Sequence, residues 1–147
     1  MKITDLKPTI VWKFFHQVTQ VPRPSKKEGK MIEFLESFAK EYKIAIKKDE
    51  AGNLLMSKPA TPGMEDRPVV VLQSHMDMVC EKNNGTKHDF DNDPIETIVD
   101  GEWLRANGTT LGADNGIGVA AELALLASDD IQHGPIECLF TVDEETG

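Results

Sequence analysis

A run of apolar and β-branched residues, "VVVLQ" at positions 69–73, is the feature that most restricts how this chain can fold. Such runs are typical of a central strand that is covered on both faces, which requires helices packed against the sheet. A second apolar run at 135–142 predicts another buried strand, and hairpins are predicted at 45–60 and 95–105. Because helical patterns alternate with these strands, the sequence predicts an α/β fold with a mixed sheet.

Three segments supply the predicted helices. The first begins near Pro8, and the last runs from Asn115 to Ser128. Between them, Ser25 and Glu28 have the spacing of a capping box, in which each side chain bonds the backbone of the other, so a helix is predicted to start at Ser25. The apolar residues of this second helix recur at helical spacing: Met31, Phe34, Leu35, Phe38 and Tyr42.

Composition disfavours some classes of partner. The 147 residues include 25 acidic and 16 basic side chains, and the resulting net charge of −9 disfavours nucleic acid, whose phosphates require basic patches. Charged residues interrupt positions 1–17, so neither a signal peptide nor a membrane segment is predicted, and we expect a cytoplasmic protein. Cys80 and Cys138 match no metal or redox spacing and are interpreted as reduced core residues.

His75 and Asp77 directly follow the predicted strand at 69–73. Residues two apart on a strand share a face, so both side chains are expected to point the same way. They would lie at the carboxyl end of the strand, where open α/β sheets bind ligands. A single His-x-Asp pair is more often a structural or surface histidine than a ligand, so on its own it is a weak signal.

Asp114 lies between a glycine-containing turn and the last predicted helix. Its simplest interpretation is an N-cap, because Asp is favoured at that position. Gly116, Gly118 and Ala121 also match a dinucleotide-binding fingerprint, and Asp143 lies near the position of its ribose-binding acid. No predicted strand leads into this fingerprint, and Asp114 would place negative charge beside the pyrophosphate. A dinucleotide-binding domain is therefore the less favoured alternative.

Asp89, Asp91 and Asp93 have the spacing of a calcium-binding loop. An EF-hand needs Gly at the sixth position and Glu at the twelfth, where this chain has Pro94 and Asp100. The pattern therefore predicts a solvated acidic loop.

Three consecutive acids, Asp143, Glu144 and Glu145, follow the last predicted strand. Adjacent carboxylates repel one another, and a metal cation would explain why they are tolerated together. These acids can converge with His75 and Asp114 at one rim of the sheet. Carboxylates with one imidazole and no thiolate suit zinc or another divalent hydrolytic metal.

Four segments, "LQSHMDMVCEKN", "HDFDNDPI", "LGADNGIGVA" and "FTVDEETG", resemble in order and spacing the aminoacyl-histidine dipeptidases of the di-zinc aminoacylase and carboxypeptidase superfamily. The segments span 72–147, and the predicted helices before them fit as well. The resemblance implies a three-layer α-β-α catalytic domain, of which residues 1–147 are the N-terminal part. The implied activity is metal-dependent hydrolysis of dipeptides, of the Xaa-His type with broad specificity.

The resemblance also implies a role for each candidate site residue. His75 would bind one zinc ion, and Asp77 would orient its imidazole and raise its basicity. Asp114 would bridge two zinc ions, and Glu145 would bind the second. Glu144 would be the general base that accepts a proton from the attacking water.

Two backbone features are expected around these residues. The resemblance implies a cis peptide bond between Asp114 and Asn115. Glu144 and Glu145 are adjacent, so on a regular strand they would face opposite ways. Both can reach the metals only if the strand breaks before them, and Gly147 is consistent with such a turn.

Members of the resembled family are considerably longer than this chain, and their second, smaller domain has no counterpart in it. Each zinc in the family needs one further protein ligand, so we expect this chain to be truncated, to bind zinc weakly and not to hydrolyse dipeptides. We also expect an unpaired apolar strand edge that allows self-association. A non-catalytic binding module on the same fold is the main alternative.

Overall fold

The computed structural model describes residues 2–147, in which two helices are followed by five strands, a third helix and a last strand. The helices are α1 (Thr9–Thr19), α2 (Gly29–Glu41) and α3 (Ala113–Ala127), after a 3-10 turn at Ile3–Asp5. The strands are β1 (Ala45–Lys48), β2 (Leu54–Lys58), β3 (Val70–His75), β4 (Thr97–Asp100), β5 (Trp103–Ala106) and β6 (Ile136–Thr141). The predicted α/β class is confirmed.

The main sheet has the strand order β1-β2-β6-β3. Strand β6 is antiparallel to β2 and parallel to β3, so the sheet is mixed, as predicted. The register pairs His75 at the end of β3 with Thr141 at the end of β6. The two parallel strands therefore end at the same edge of the sheet, which brings together the segments that follow them.

One hydrophobic cluster joins the three helices to the main sheet. Phe14 of α1, Leu35 of α2 and Leu123 of α3 are almost completely buried in it, and so are Met56 of β2 and Phe140 of β6. Burying a side chain of this size stabilises the fold by about 1.5–3 kcal/mol. The packing fixes the helices against the sheet and so fixes the loops at its carboxyl edge.

The prediction that 69–73 forms a central, covered strand is wrong. Strand β3 is an edge strand, and Val69, Val70 and Val71 are 52%, 52% and 58% exposed. The two central positions belong to β2 and β6, each of which pairs on both sides. Among residues 2–147 the outer edge of β3 has no partner, as expected of an unpaired apolar edge. Self-association through it stays a prediction.

The predicted capping box is also wrong. Helix α2 begins at Gly29, and the side chain of Glu28 at the N-cap position makes no capping hydrogen bond. The Ser25 hydroxyl and the Glu28 carboxylate instead bond to residues far away along the chain, Asp77 and Asp143. The sequence does not distinguish a helix cap from a long-range contact, because both use the same polar side-chain atoms.

The remaining predictions concern the second hairpin and the cysteines. Strands β4 and β5 pair as an antiparallel hairpin, as predicted. Both cysteines are free; Cys138 is buried, as predicted, whereas Cys80 is only half-buried, so its placement in the core was wrong. Burial raises the pKa of the Cys138 thiol to about 12, which keeps it protonated.

Within 2–147, no helix is both long and apolar enough to cross a membrane.

Candidate metal centre

The carboxyl edge of the sheet brings three chain segments together. His75 ends β3 and is 5% exposed, while Glu144 and Glu145 follow β6. Asp114 comes from the start of α3 and places its Oδ1 2.9 Å from Nε2 of His75. Oε2 of Glu144 lies 3.7 Å from the same nitrogen. The structure thus gathers side chains that are up to 70 positions apart in sequence.

The imidazole of His75 is held by Asp77. Its Nδ1 lies 3.1 Å from the backbone carbonyl oxygen of Asp77 and 3.3 Å from Oδ1 of the same residue. With Nδ1 donating to these oxygens, the lone pair of Nε2 faces the Asp114 carboxylate. Nε2 of His75 and Oδ1 of Asp114 are then both acceptors and lie 2.9 Å apart, so a cation, either a proton or a metal ion, is required between them. The donor set therefore fits a metal.

Asp77 also organises the turn that carries the two glutamates. Its carboxylate is fully buried and accepts hydrogen bonds from the Ser25 hydroxyl and from the backbone N–H groups of Glu144 and Glu145, at 2.7–3.1 Å. Burial alone would raise the pKa of Asp77, but these hydrogen bonds outweigh it and hold the pKa below its ordinary value. Asp77 is therefore ionised at neutral pH.

Glu28 completes the support of this turn. Its buried carboxylate accepts a hydrogen bond of 2.7 Å from the backbone N–H of Asp143. Three consecutive N–H groups, at 143–145, thus bond to just two buried carboxylates. The backbone of Asp143 is left-handed, with φ of 56°, so the extended strand ends there. This break explains how the adjacent residues Glu144 and Glu145 both reach the site.

The chain turns sharply where Asp114 enters the site. The peptide bond between Asp114 and Asn115 is cis, as predicted. Both residues have non-helical backbone angles within the first turn of α3. The Asp114 side chain is 83% exposed at the sheet edge. Its interpretation as a simple N-cap is not supported, because the N-cap position belongs to Gly112.

Two groups of side chains have spacing suitable for a metal ion. Ligand atoms of His75, Asp114 and Glu145 all lie within 4.8 Å of one another. Glu28, Asp77 and Asp143 form the second group, but the first two carboxylates already accept the hydrogen bonds described above. The first group is therefore the candidate centre, and the second group supports it.

An open cavity of about 390 Å³ adjoins this centre. Asp114 and Glu145 lie on its wall together with apolar residues that include Val79 and Leu111. The cavity gives the candidate ligands access to solvent and to a small molecule.

The dinucleotide alternative lacks its structural context. Residues 107–112 form no strand that leads into Gly116, and β5 ends at Ala106. A dinucleotide fingerprint requires a strand directly before the glycine-rich turn. This alternative is therefore not supported.

Comparison with known proteins establishes the family. Residues 71–147, more than half of the chain, match the sequence model of peptidase family M20/M25/M40. The chain belongs to this family. The cytosol non-specific dipeptidase of Escherichia coli K12 is 49% identical over 146 residues, which cover 99% of this chain and 30% of that protein. YqjE of Bacillus subtilis 168, an uncharacterised protein, is 28% identical over 145 residues, which cover 90% of this chain and 36% of that protein.

Solved structures of peptidases agree with this assignment. The crystal structure of an aminoacylhistidine dipeptidase from Vibrio alginolyticus has 51% identity and a TM-score of 0.98, and it covers all of this chain and 30% of that protein. A tripeptidase from Staphylococcus aureus has 25% identity and a TM-score of 0.75. The resemblance found in the sequence is therefore confirmed. The chain spans about 30% of the length of the E. coli and V. alginolyticus dipeptidases.

The structure places all five predicted site residues at one rim of the sheet. Sequence reasoning missed three supporting residues: Arg23, Ser25 and Glu28. Their segment, residues 23–28, is polar and contains a proline, which is typical of an exposed loop. No local signal shows that its side chains turn inward.

Proposed function

We propose that this chain contributes a two-metal hydrolytic site to a dipeptidase. The observation that carries the proposal is the convergence of His75, Asp114 and Glu145 within 4.8 Å at the carboxyl edge of the sheet. Membership of a peptidase family supports hydrolysis of peptide bonds. Similarity to the E. coli dipeptidase and to the V. alginolyticus aminoacylhistidine dipeptidase supports dipeptides, including those of the Xaa-His type, as substrates.

The residues divide between two metal positions. His75 and Asp114 would hold one ion, and Asp114 and Glu145 would hold the other, with Asp114 as the bridge. Two divalent ions, of which zinc is the first candidate, would polarise the scissile carbonyl and make a nearby water more acidic. Asp77 orients the His75 imidazole, so that Nε2 and not Nδ1 faces Asp114 and would bind an ion held there.

Glu144 is the proposed general base. Its carboxylate lies beside the three ligands without belonging to their group, and its side chain is 55% exposed. It is therefore accessible to a water or a substrate that lies beside these ligands. Glu144 would accept a proton from the attacking water and then donate it to the amine nitrogen as the C–N bond breaks.

We further propose that the 147 residues alone bind zinc weakly and hydrolyse dipeptides poorly. The described residues offer two protein ligands to each ion, whereas a catalytic zinc normally keeps three. The name of the E. coli relative and the two free cysteines support a cytoplasmic location.

A chimera tests the proposed activity. This chain replaces the matching 146 residues of the E. coli dipeptidase, and zinc-dependent hydrolysis of an Xaa-His dipeptide is measured. We expect the chimera to be active and the isolated chain to be nearly inactive. Glu144→Gln in the chimera should lower kcat by about 100-fold or more with zinc content unchanged, because only proton transfer is lost.

The control separates the base from the ligands. Glu145→Gln in the same chimera should lower the zinc content as well as kcat. A folded, zinc-loaded chimera without activity would favour a non-catalytic binding module. Full activity of Glu144→Gln would contradict the role given to Glu144.

A further inference from the structure

Arg23 is a buried cation that connects two segments of the candidate centre. Its side chain is 2% exposed, although it lies in the loop between α1 and α2. Nη1 donates hydrogen bonds to the backbone carbonyl oxygens of Met76 and Asp77, at 3.0 and 3.1 Å. Nη2 donates to the backbone carbonyl oxygen of Gly112, at 2.5 Å. A single planar group thus spans two loops that are more than 30 positions apart in sequence.

The guanidinium occupies an interior position without a direct ionic partner. Within residues 2–147, no carboxylate oxygen forms a salt bridge with Arg23; its partners are three neutral carbonyl groups. Burial lowers the pKa of Arg23 to about 10, a value at which the side chain is still charged at neutral pH. Burying a charge is costly unless its donors are satisfied. An apolar residue would fill the same space without that cost.

The surroundings are shaped to this side chain. A Cβ atom added to Gly112 would lie 2.6 Å from Nη2 of Arg23, and one added to Gly116 would lie 2.7 Å from it. Both distances are shorter than any normal contact. The two glycines, on either side of Asp114, therefore leave space that the guanidinium fills.

We infer that Arg23 is a positioning residue that sets the placement of Asp114 relative to His75. Met76 and Asp77 directly follow His75, and Gly112 lies two residues before Asp114. Because one rigid guanidinium binds all three carbonyl groups, it sets the separation of the two loops. At this separation, Nε2 of His75 and Oδ1 of Asp114 are 2.9 Å apart. The consequence for metal binding rests on the function proposed above, but the consequence for the His75–Asp114 contact does not.

Two measurements on the full 147-residue chain test the inference. The first is the imidazole 1H–15N spectrum of His75 in the metal-free protein at one fixed pH, and the second is a zinc titration. In Arg23→Met we expect the His75 signals to move toward those of Asp114→Ala and the zinc affinity to fall by about 10–100-fold. Arg23→Lys should be intermediate, because one ammonium group cannot reach all three carbonyl oxygens.

Gly116→Ala tests the same contact without a substitution of Arg23. Its added Cβ would displace the guanidinium while Arg23 is still present, so this variant should reproduce the His75 shift if the Arg23 variants fold poorly. Leu35→Ala is the stability control, because Leu35 is fully buried in α2 and takes no part in the site contacts described above. It should lower the thermal midpoint without changing the His75 signals.

Each outcome separates the inference from the proposed function. Unchanged His75 signals and zinc affinity in the Arg23 and Gly116 variants, with only a lower thermal midpoint, would show that Arg23 is merely structural. If the wild-type chain binds no zinc but its His75 signals depend on Arg23, the positioning role stands and the proposal that these 147 residues bind zinc is wrong.

Discussion

Two stretches of the chain carry three acids each, and the structure treats them in opposite ways. One is the exposed acidic loop at 89–93, and the other is the acidic turn at 143–145. In the acidic loop, the side-chain oxygens of Asp89 accept hydrogen bonds from the backbone N–H of Asp91 and the amide of Asn92, while Asp93 accepts from the backbone N–H of Asp89. The carboxylates of Asp89 and Asp93 are thus satisfied within the loop itself, and that of Asp91 pairs with Lys27 at the surface.

In the acidic turn, distant buried groups bind the backbone. Asp77 and Glu28 accept the three backbone N–H groups, which leaves the side chains of Glu144 and Glu145 free to face His75. The comparison shows that the number of acids in a stretch does not identify a site. The decisive difference is which group accepts the backbone hydrogen bonds.

Removal of Asp77 is expected to have the largest effect on stability. Asp77→Ala leaves a hydroxyl group and two backbone N–H groups without an acceptor in the interior, so we expect a loss of roughly 3–5 kcal/mol in the free energy of unfolding. Urea denaturation measures this. Asp77→Asn keeps one acceptor oxygen and should lose less. A loss below that of a surface Asp substitution would contradict the supporting role of Asp77.

The same carboxylate predicts a pH dependence. The pKa of Asp77 is lower in the folded chain than its ordinary value of 3.8, so the folded state favours the ionised form. Its contribution to stability is therefore complete above that ordinary value and is lost as pH falls through the lower folded value. Denaturation curves across this range should be less pH-dependent for Asp77→Asn than for the wild type.

Glu28 is expected to have a smaller effect, limited to one backbone group. Glu28→Ala should cost about 1–3 kcal/mol, because the N–H of Asp143 loses its buried acceptor. Glu28→Gln retains a carbonyl oxygen at that position and should remain close to the wild type. If the Gln variant were as unstable as the Ala variant, the charge of Glu28 rather than its hydrogen bond would matter.

Substitution of Asp91 should have the smallest effect. Its ion pair with Lys27 is exposed, and such pairs contribute little in water. Asp91→Ala should leave the midpoint of denaturation and the zinc affinity unchanged. A clear loss of zinc affinity would contradict the difference drawn between the two acidic stretches, because the acidic loop would then take part in metal binding.

Sequence reasoning identified the parts of the site that lie within motifs. His75, Asp77, Asp114 and the acidic turn were found because ligand types, strand ends and a helix start coincide along the chain. The supporting residues Arg23, Ser25 and Glu28 were not found, since their partners are 50 to 115 positions away and the local pattern equally fits a helix cap. The prediction that β3 is a central strand was wrong, because the composition of a strand does not show which strands flank it.

The central claim is that Asp114 belongs to a metal site and Asp91 does not. A zinc titration by calorimetry on the wild type, Asp114→Ala and Asp91→Ala tests it with two exposed aspartates as a matched pair. The account predicts weak binding by the wild type, unchanged binding by Asp91→Ala, and binding at least about tenfold weaker for Asp114→Ala. Equal affinities in all three proteins, or no binding by the wild type, would contradict it.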